Sequence, residues 1–412
     1  MTYLIGPFSE IVTLRDLPLK GAIADDRLEI VTNGGVLVEN DTIKAIGKFE
    51  NLAKQFPKAI VHEQHTPAVL LPGFVDCHTH TCFGGTRARD FALRNAGKSY
   101  LEIAQSGGGI WNTVTQTRQL SQQQLYELTK ARVLNFRREG ITTIEIKSGY
   151  GLSVEEELKM LRAINQVQKD LPNQIVATCL AAHIKPKDFE GSQQAYLNYL
   201  VENLLPRLQQ ENLTNRIDIF TEKSAFGIEE SRQYLEKVKN YGFDVCVHAD
   251  QFTAGSSDMA VAVGAASADH LEASTETQIN ALANSETVAV VLPGASLGLG
   301  EPFASARALL DAGACVAIAS DYNPGSAPMG DLLMQAAVLA CFQKLSTAEV
   351  LAGLTFRAAK ALKTDQLGKI DIDHRADLQV YTTADYREIL YHQGKLKPSS
   401  IWKNGQLIFT AK

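Results

Sequence analysis

None of the six cysteines, Cys77, Cys82, Cys179, Cys246, Cys315 and Cys341, belongs to a C-x-x-C pair, and all lie scattered among apolar residues. A disulfide framework is therefore not expected, and a reducing cytosol is. No apolar run approaches the roughly 20 residues that cross a bilayer. The opening Met1-Thr2-Tyr3-Leu4 has no basic stretch leading into a long apolar one, so no signal peptide and no membrane partner are expected. Basic charge is not in excess: 40 Lys and Arg face 46 Asp and Glu, a net charge of −6, which sets nucleic acid aside as the main partner. No G-x-G-x-x-G follows a strand and no P-loop occurs. There is no repeat at a fixed period and no low-complexity segment. What remains is an ordinary globular composition, 45% hydrophobic and 21% charged, over 412 residues.

The stretch from Leu70 to His80, LLPGFVDCHTH, organises the rest. An apolar run stops at Pro72-Gly73, restarts as Phe74-Val75-Asp76 and ends on His78-Thr79-His80. Side chains alternate faces along a strand, so both imidazoles point the same way and can grip one metal ion. Six further apolar runs follow, with helical segments between them. They are Ile141–Lys147, Ile175–Leu180, Asp244–His248, Ala266–His270, Val288–Pro293 and Cys315–Asp321. Ser121 and Gln124 form a capping box for a helix reaching about Glu139, where Gly140 stops it. Continuous apolar strands alternating with helices indicate a parallel sheet covered on both faces. The expectation is α/β: a (β/α)8 TIM-like barrel over residues 67–361, its eighth strand near Gly107–Val114. A doubly wound open sheet is the alternative. Residues 1–66 and 362–412 share a texture of short β-segments, such as Gly35–Val38, Ile43–Gly47, Leu367–Ile370, Ala376–Tyr381 and Ile401–Ile408. Together they are expected to build one small β-sandwich domain from both chain ends.

The polar residues fall where the strands stop. His78, His80, His183, His248, His270 and Asp321 all end or follow apolar strands. A barrel gathers such residues at one mouth. Three neutral imidazoles and a carboxylate suit a dication with a position left for water, whose pKa a bound metal lowers to about 7. A carboxylate touching metal and water, the place of Asp321, can take the proton and pass it to a leaving nitrogen.

These motifs resemble the amidohydrolase superfamily over nearly the whole chain. More narrowly they resemble its imidazolonepropionase family, through His78–Arg87, Ser148–Leu152, Ala182-His183, His248–Gln251, Ala268–Glu272 and above all the Asp-x-Asn-x-Gly-Ser of Asp321–Ser326. The resemblance implies hydrolysis of the ring C–N bond of 4-imidazolone-5-propanoate to N-formimidoyl-L-glutamate, in histidine degradation, in a cytoplasmic homodimer. It implies one divalent ion per chain, Zn or Fe, on His78, His80, His248 and Asp321. It implies Asp321, His270 and His183 as catalytic residues, and Arg87, Tyr150, His183, Gln251, Asn323, Gly325 and Ser326 as substrate contacts. Arg87 suits the propanoate, because guanidinium pairs with carboxylate in bidentate fashion. Gln251 stands where several members carry Glu, and glutamine is no base, so proton traffic falls to Asp321 and His270. Lys147 is read as an ordinary strand-end lysine rather than a carbamylated bridge between two metals. The rival enzymes are a hydrolytic nucleobase deaminase and another cyclic amidase. The rival non-enzyme is a barrel without metal, which would not keep all four ligands.

Overall fold

The computed structural model describes residues 2–411. From the N-terminus come β1 (Thr2–Val12), β2 (Ile30–Glu39), β3 (Thr42–Lys48), β4 (Ile60–Glu63) and β5 (Val69–Pro72). Eight strands follow, separated by helices: β6 (Phe74–Asp76), β7 (Ile141–Lys147), β8 (Gln174–Ala182), β9 (Arg216–Phe220), β10 (Asp244–Ala249), β11 (Ser267–His270), β12 (Val288–Val291) and β13 (Val316–Ile318). The chain closes with β14 (Leu378–Tyr381), β15 (Ser400–Lys403) and β16 (Gln406–Thr410).

The strands from the two ends form one sheet in the order β16-β15-β14-β5-β1-β2-β3, with β4 added beside β1. The long β1 serves both arms, pairing with β4 along Tyr3–Gly6 and with β5 at Glu10-Ile11. Ile5, Phe8, Val36 and Val38 from one end pack in one cluster with Leu378, Val380 and Trp402 from the other. Burial of these apolar faces against one another is what joins segments more than 300 residues apart. Leu367–Ile370 is not a strand; Ile370 reaches the same core from a loop, its N–H donating to the Thr13 carbonyl. The chain crosses into the second sheet at Gly73, where a Cβ would collide with the Thr142 side chain.

β6 to β13 pair in sequence order, each parallel to the next. The barrel closes just beyond the strand ends. Thr79 bridges Tyr322, the His80 N–H donates to the Tyr322 carbonyl at 2.8 Å, and the Asp321 N–H to the His78 carbonyl at 3.1 Å. Along β7 and β10, Ile144, Ile146, Val245 and Val247 face the helices. The alternate residues Glu145, Lys147 and His248 face the barrel axis, as the two-residue period requires.

The eighth strand differs from the sequence expectation. Gly107–Val114 contains no strand; Gly109, at φ 78°, is the N-cap of a helix over Ile110–Gln119. The missing strand is β9, Arg216-Ile217-Asp218-Ile219-Phe220. Its inward residues Arg216 and Asp218 are charged and yet 2% and 0% exposed, so it never reads as an apolar run. Their partners lie on other strands, which local sequence does not reveal.

Candidate active site

His78 and His80 flank Thr79, and Thr79 is bolted down: its N–H donates to Glu145 Oε2 at 3.1 Å and its hydroxyl to the Glu145 carbonyl at 2.6 Å. With the middle residue held, both imidazoles project into the barrel mouth. His248 ends β10. Asp321 follows β13 with φ 52°, and His270 ends β11 with φ 91°. Left-handed backbone costs a non-glycine residue about 1–3 kcal/mol. At His270 it has a purpose: Asp269 already points inward, so the next residue would face away without that turn.

The donor atoms gather around one point. Nε2 of His78 and of His80 each lie 3.5 Å from Asp321 Oδ1, and Nε2 of His80 lies 3.3 Å from Nε2 of His248. Ligands held about 2.0–2.1 Å from a tetrahedral centre are roughly 3.3–3.4 Å apart, so these spacings fit one ion. Protonation states fit as well. Burial first, and then neighbouring cations and imidazoles, hold the pKa values of His78 and His80 well below the ordinary histidine value. Burial pushes His248 down to about 4, against the pull of Asp218. His78 Nδ1 donates to Asp269 Oδ2 at 2.7 Å, which places its proton there and turns its Nε2 lone pair inward, and His248 Nδ1 lies 3.0 Å from Asp218 Oδ2. His78 Nε2, fully buried, has no hydrogen-bond partner in the protein. A buried nitrogen lone pair without a donor facing it is a place a cation would occupy favourably. Asp321 Oδ2 accepts from Asn323 Nδ2 at 2.9 Å and from Ser326 Oγ at 3.3 Å, leaving Oδ1 on the histidine side.

His270 also lies within ligand range of His78 and Asp321, and it differs from the other imidazoles in its protonation. Its Nδ1 lies 3.4 Å from Glu272 Oε2. Burial opposes a proton on its ring, but Glu272 and then Asp321 outweigh burial and raise its pKa. It is the one imidazole of the cluster disposed to carry a proton. Lys147 does not face the ligand nitrogens: its Nζ lies 2.7 Å from Glu145 Oε1 and 2.8 Å from Asp218 Oδ2, at zero exposure.

A cavity of about 590 Å³ opens over the cluster, and Arg87, Tyr150, His183, Gln251, Asn323, Gly325 and Ser326 all line it. Tyr150 is buried, its ring 5.6 Å from that of His183. His183 donates from Nδ1 to the Gly149 carbonyl at 3.0 Å, and burial pushes its pKa down to about 4. Its Nε2 is thus an acceptor suited to a ring N–H rather than a donor to a carbonyl. Arg87 is clamped by Asp90, which takes Nε–H at 2.6 Å and the Gly109 N–H at 2.8 Å. The Nη edge of its guanidinium runs beside Gly325, where a Cβ would sit 2.9 Å from Nη1. Asn323, Gly325 and Ser326 are also bonded to one another. The N–H groups of Gly325 and Ser326 donate to Asn323 Oδ1 at 2.7 and 2.8 Å, and Asn323 Nδ2 is spent on Asp321 and Ser326. The run closes on itself as a turn that fixes Asp321.

Three acidic residues escape a reading of the sequence. Asp218 lies on the strand that was missed. Asp269 sits inside a recognised motif but has no role without its contact to His78. Asp90 leaves a faint signal, three residues after Arg87 on a helix.

The amidohydrolase family profile matches residues 69–408. An imidazolonepropionase from Clostridium tetani is 35% identical over 98% of this chain and 98% of its own. Another from Bacillus cereus is 38% identical over 94% of this chain and 92% of its own. Among solved structures, a mutant atrazine chlorohydrolase from Arthrobacter aurescens complexed with zinc and atraton has a TM-score of 0.71 at 16% identity, covering 99% of this chain and 95% of that one. A zinc-bound adenosine deaminase from Xanthomonas campestris has a TM-score of 0.70 at 18% identity, covering 99% and 93%. At such identity the two structures speak for the fold alone.

Proposed function

The chain belongs to the amidohydrolase family, among its imidazolonepropionases, and from that premise we propose how its residues carry out the reaction. It is a hydrolase of cyclic-amide C–N bonds. The substrate is 4-imidazolone-5-propanoate and the product N-formimidoyl-L-glutamate, a step of histidine degradation. Water adds to the ring carbonyl carbon, the C–N bond to the ring nitrogen breaks, and the water oxygen remains in the new carboxylate.

His78, His80 and His248 through Nε2, with Asp321 through Oδ1, hold one divalent ion, Zn or Fe. The observation that carries this reading is the convergence of these donors, with Nε2 of His78 and of His80 each 3.5 Å from Asp321 Oδ1 and Nε2 of His80 3.3 Å from Nε2 of His248. When bound, such an ion polarises the carbonyl and makes a water acidic enough to attack at neutral pH. Asp321 accepts the proton lost by the attacking water and returns it to the leaving ring nitrogen. Asn323 and Ser326 keep its carboxylate in the orientation that this transfer needs. His270, braced by Glu272, donates a hydrogen bond to that water and orients it. His183 accepts the ring N–H at Nε2, Tyr150 covers the ring, and Gln251 hydrogen-bonds to it without acting as a base. The Nη edge of Arg87 pairs with the propanoate.

The Zn-or-Fe choice follows the donor set, which suits either metal. We assign the enzyme to the cytosol, in keeping with six free cysteines, and to a homodimer, on the family resemblance. No helix among the described residues is long and apolar enough to cross a membrane. The test is a hydrolysis assay with freshly prepared imidazolone propanoate beside a panel of nucleobases. Faster turnover of any nucleobase would overturn the substrate assignment.

A further inference from the structure

Beneath the donor cluster the barrel interior is plugged by charge. Glu145 and Lys147 from β7, Arg216 and Asp218 from β9, and Asp269 from β11 are all at most 2% exposed. Lys147 stands among the three carboxylates. Its Nζ is 2.7 Å from Glu145 Oε1, 2.8 Å from Asp218 Oδ2 and 3.9 Å from Asp269 Oδ2. Each carboxylate also holds a part of the histidine set. Asp218 Oδ2, the atom paired with the lysine, lies 3.0 Å from His248 Nδ1. Asp269 Oδ2, the atom nearest the lysine, accepts from His78 Nδ1 at 2.7 Å. The second oxygen of Glu145 accepts the N–H of Thr79, between His78 and His80. One ammonium thus stands behind three carboxylates, and these stand behind His78, His80 and His248.

The shared oxygens of Asp218 and Asp269 couple the lysine to the imidazoles. A carboxylate stripped of its cation in a dry interior is costly, and it turns or takes a proton, losing its fixed hold on an imidazole. Burial works against the charge on Lys147, but Asp218 and Glu145 outweigh it and keep the lysine pKa well above its ordinary value. We propose that Lys147 is a positioning residue for the metal site: its ammonium fixes Asp218, Asp269 and Glu145, and through them the ligand geometry of His248, His78 and His80. This rests on the ligand assignment above. It gives this lysine a task unlike that of a bridging carbamate, because its nitrogen is taken up by Glu145 and Asp218 at 2.7 and 2.8 Å.

The test measures the affinity of metal-free full-length protein for Zn²⁺ by competition with a chromophoric chelator. Thermal unfolding of the metal-free proteins is followed alongside. Lys147→Met should weaken Zn²⁺ binding by about 10–100-fold, as loss of such outer partners does elsewhere. Asp218→Asn and Asp269→Asn, close in shape to the native residues, should each weaken it as well. Lys147→Met combined with Asp218→Asn should lose less than the product of the two single effects, since both act through one oxygen. A folded Lys147→Met protein of lowered thermal midpoint, but with Zn²⁺ affinity within about threefold of wild type, would overturn the proposal. Lys147→Gln is read in the same way, and failure of both variants to fold would assign the lysine to the fold alone and also overturn it. His78→Ala separates the two claims. If it binds Zn²⁺ like wild type, the ligand assignment fails and takes this proposal with it. If it loses Zn²⁺ while Lys147→Met keeps it, only the role of Lys147 fails.

Discussion

Truncating Arg87 tests the substrate reading most directly. The side chain is 12% exposed, and its Nε–H is held at 2.6 Å by Asp90, itself 6% exposed. With Nε fixed there, the Nη edge is what remains for a carboxylate. Arg87→Ala obliges the propanoate to enter the pocket without its cation. Removing one member of a buried charged pair costs about 2–5 kcal/mol. That is roughly a 30- to 4,000-fold loss of kcat/KM at about 1.4 kcal/mol per tenfold. The loss falls on kcat/KM because the tail helps position the ring. Arg87→Ala also leaves Asp90 without its cation, so Arg87→Ala/Asp90→Asn serves as the control for that side effect. The assay compares wild type and variant on imidazolone propanoate and on an imidazolone lacking the tail. The tail-less compound should be poor with wild type and lose little more with the variant, while metal content stays unchanged. Equal slowing on both compounds would show that Arg87 does not bind the tail.

Elemental analysis should find one divalent ion per chain; His78→Ala or His248→Ala should lose it together with turnover, and two ions in wild type would contradict a single four-donor site. Gly325→Ala would put a Cβ 2.9 Å from Arg87 Nη1 and 3.2 Å from Asn323 Oδ1. A displaced guanidinium should cost roughly 10–100-fold in kcat/KM on the tailed substrate, and unchanged kinetics would mean that the arginine does not need its place. Far from the cavity, burial pushes Glu139 from the ordinary 4.5 up to about 7, against the pull of Lys397. The folded state therefore holds this proton more tightly than the unfolded chain, and stability falls as pH rises from about 4.5 through about 7. Glu139→Gln should raise the thermal midpoint at pH 8 relative to wild type and change it little at pH 4; equal differences at both would refute the shift.

Local periodicity sufficed for much of this protein. Strand alternation placed His78 and His80 on one face, and apolar runs ending in His183, His248, His270 and Asp321 pointed to a barrel mouth, where all now line or floor one cavity. The capping box at Ser121 and Gln124 was equally readable, because both partners lie within one turn. Other features needed the fold. The strand Arg216–Phe220 hid behind two buried charges, whose neutralisation comes from residues on other strands. The left-handed turn of His270, the oxygens of Asp218 and Asp269 shared between Lys147 and the histidines, and the closed turn of Asn323 leave no periodic trace. Hydrophobic burial acts through spacing along the chain and is legible there. Charge pairing in a dry interior acts through distances between strands, and only the closed barrel sets those.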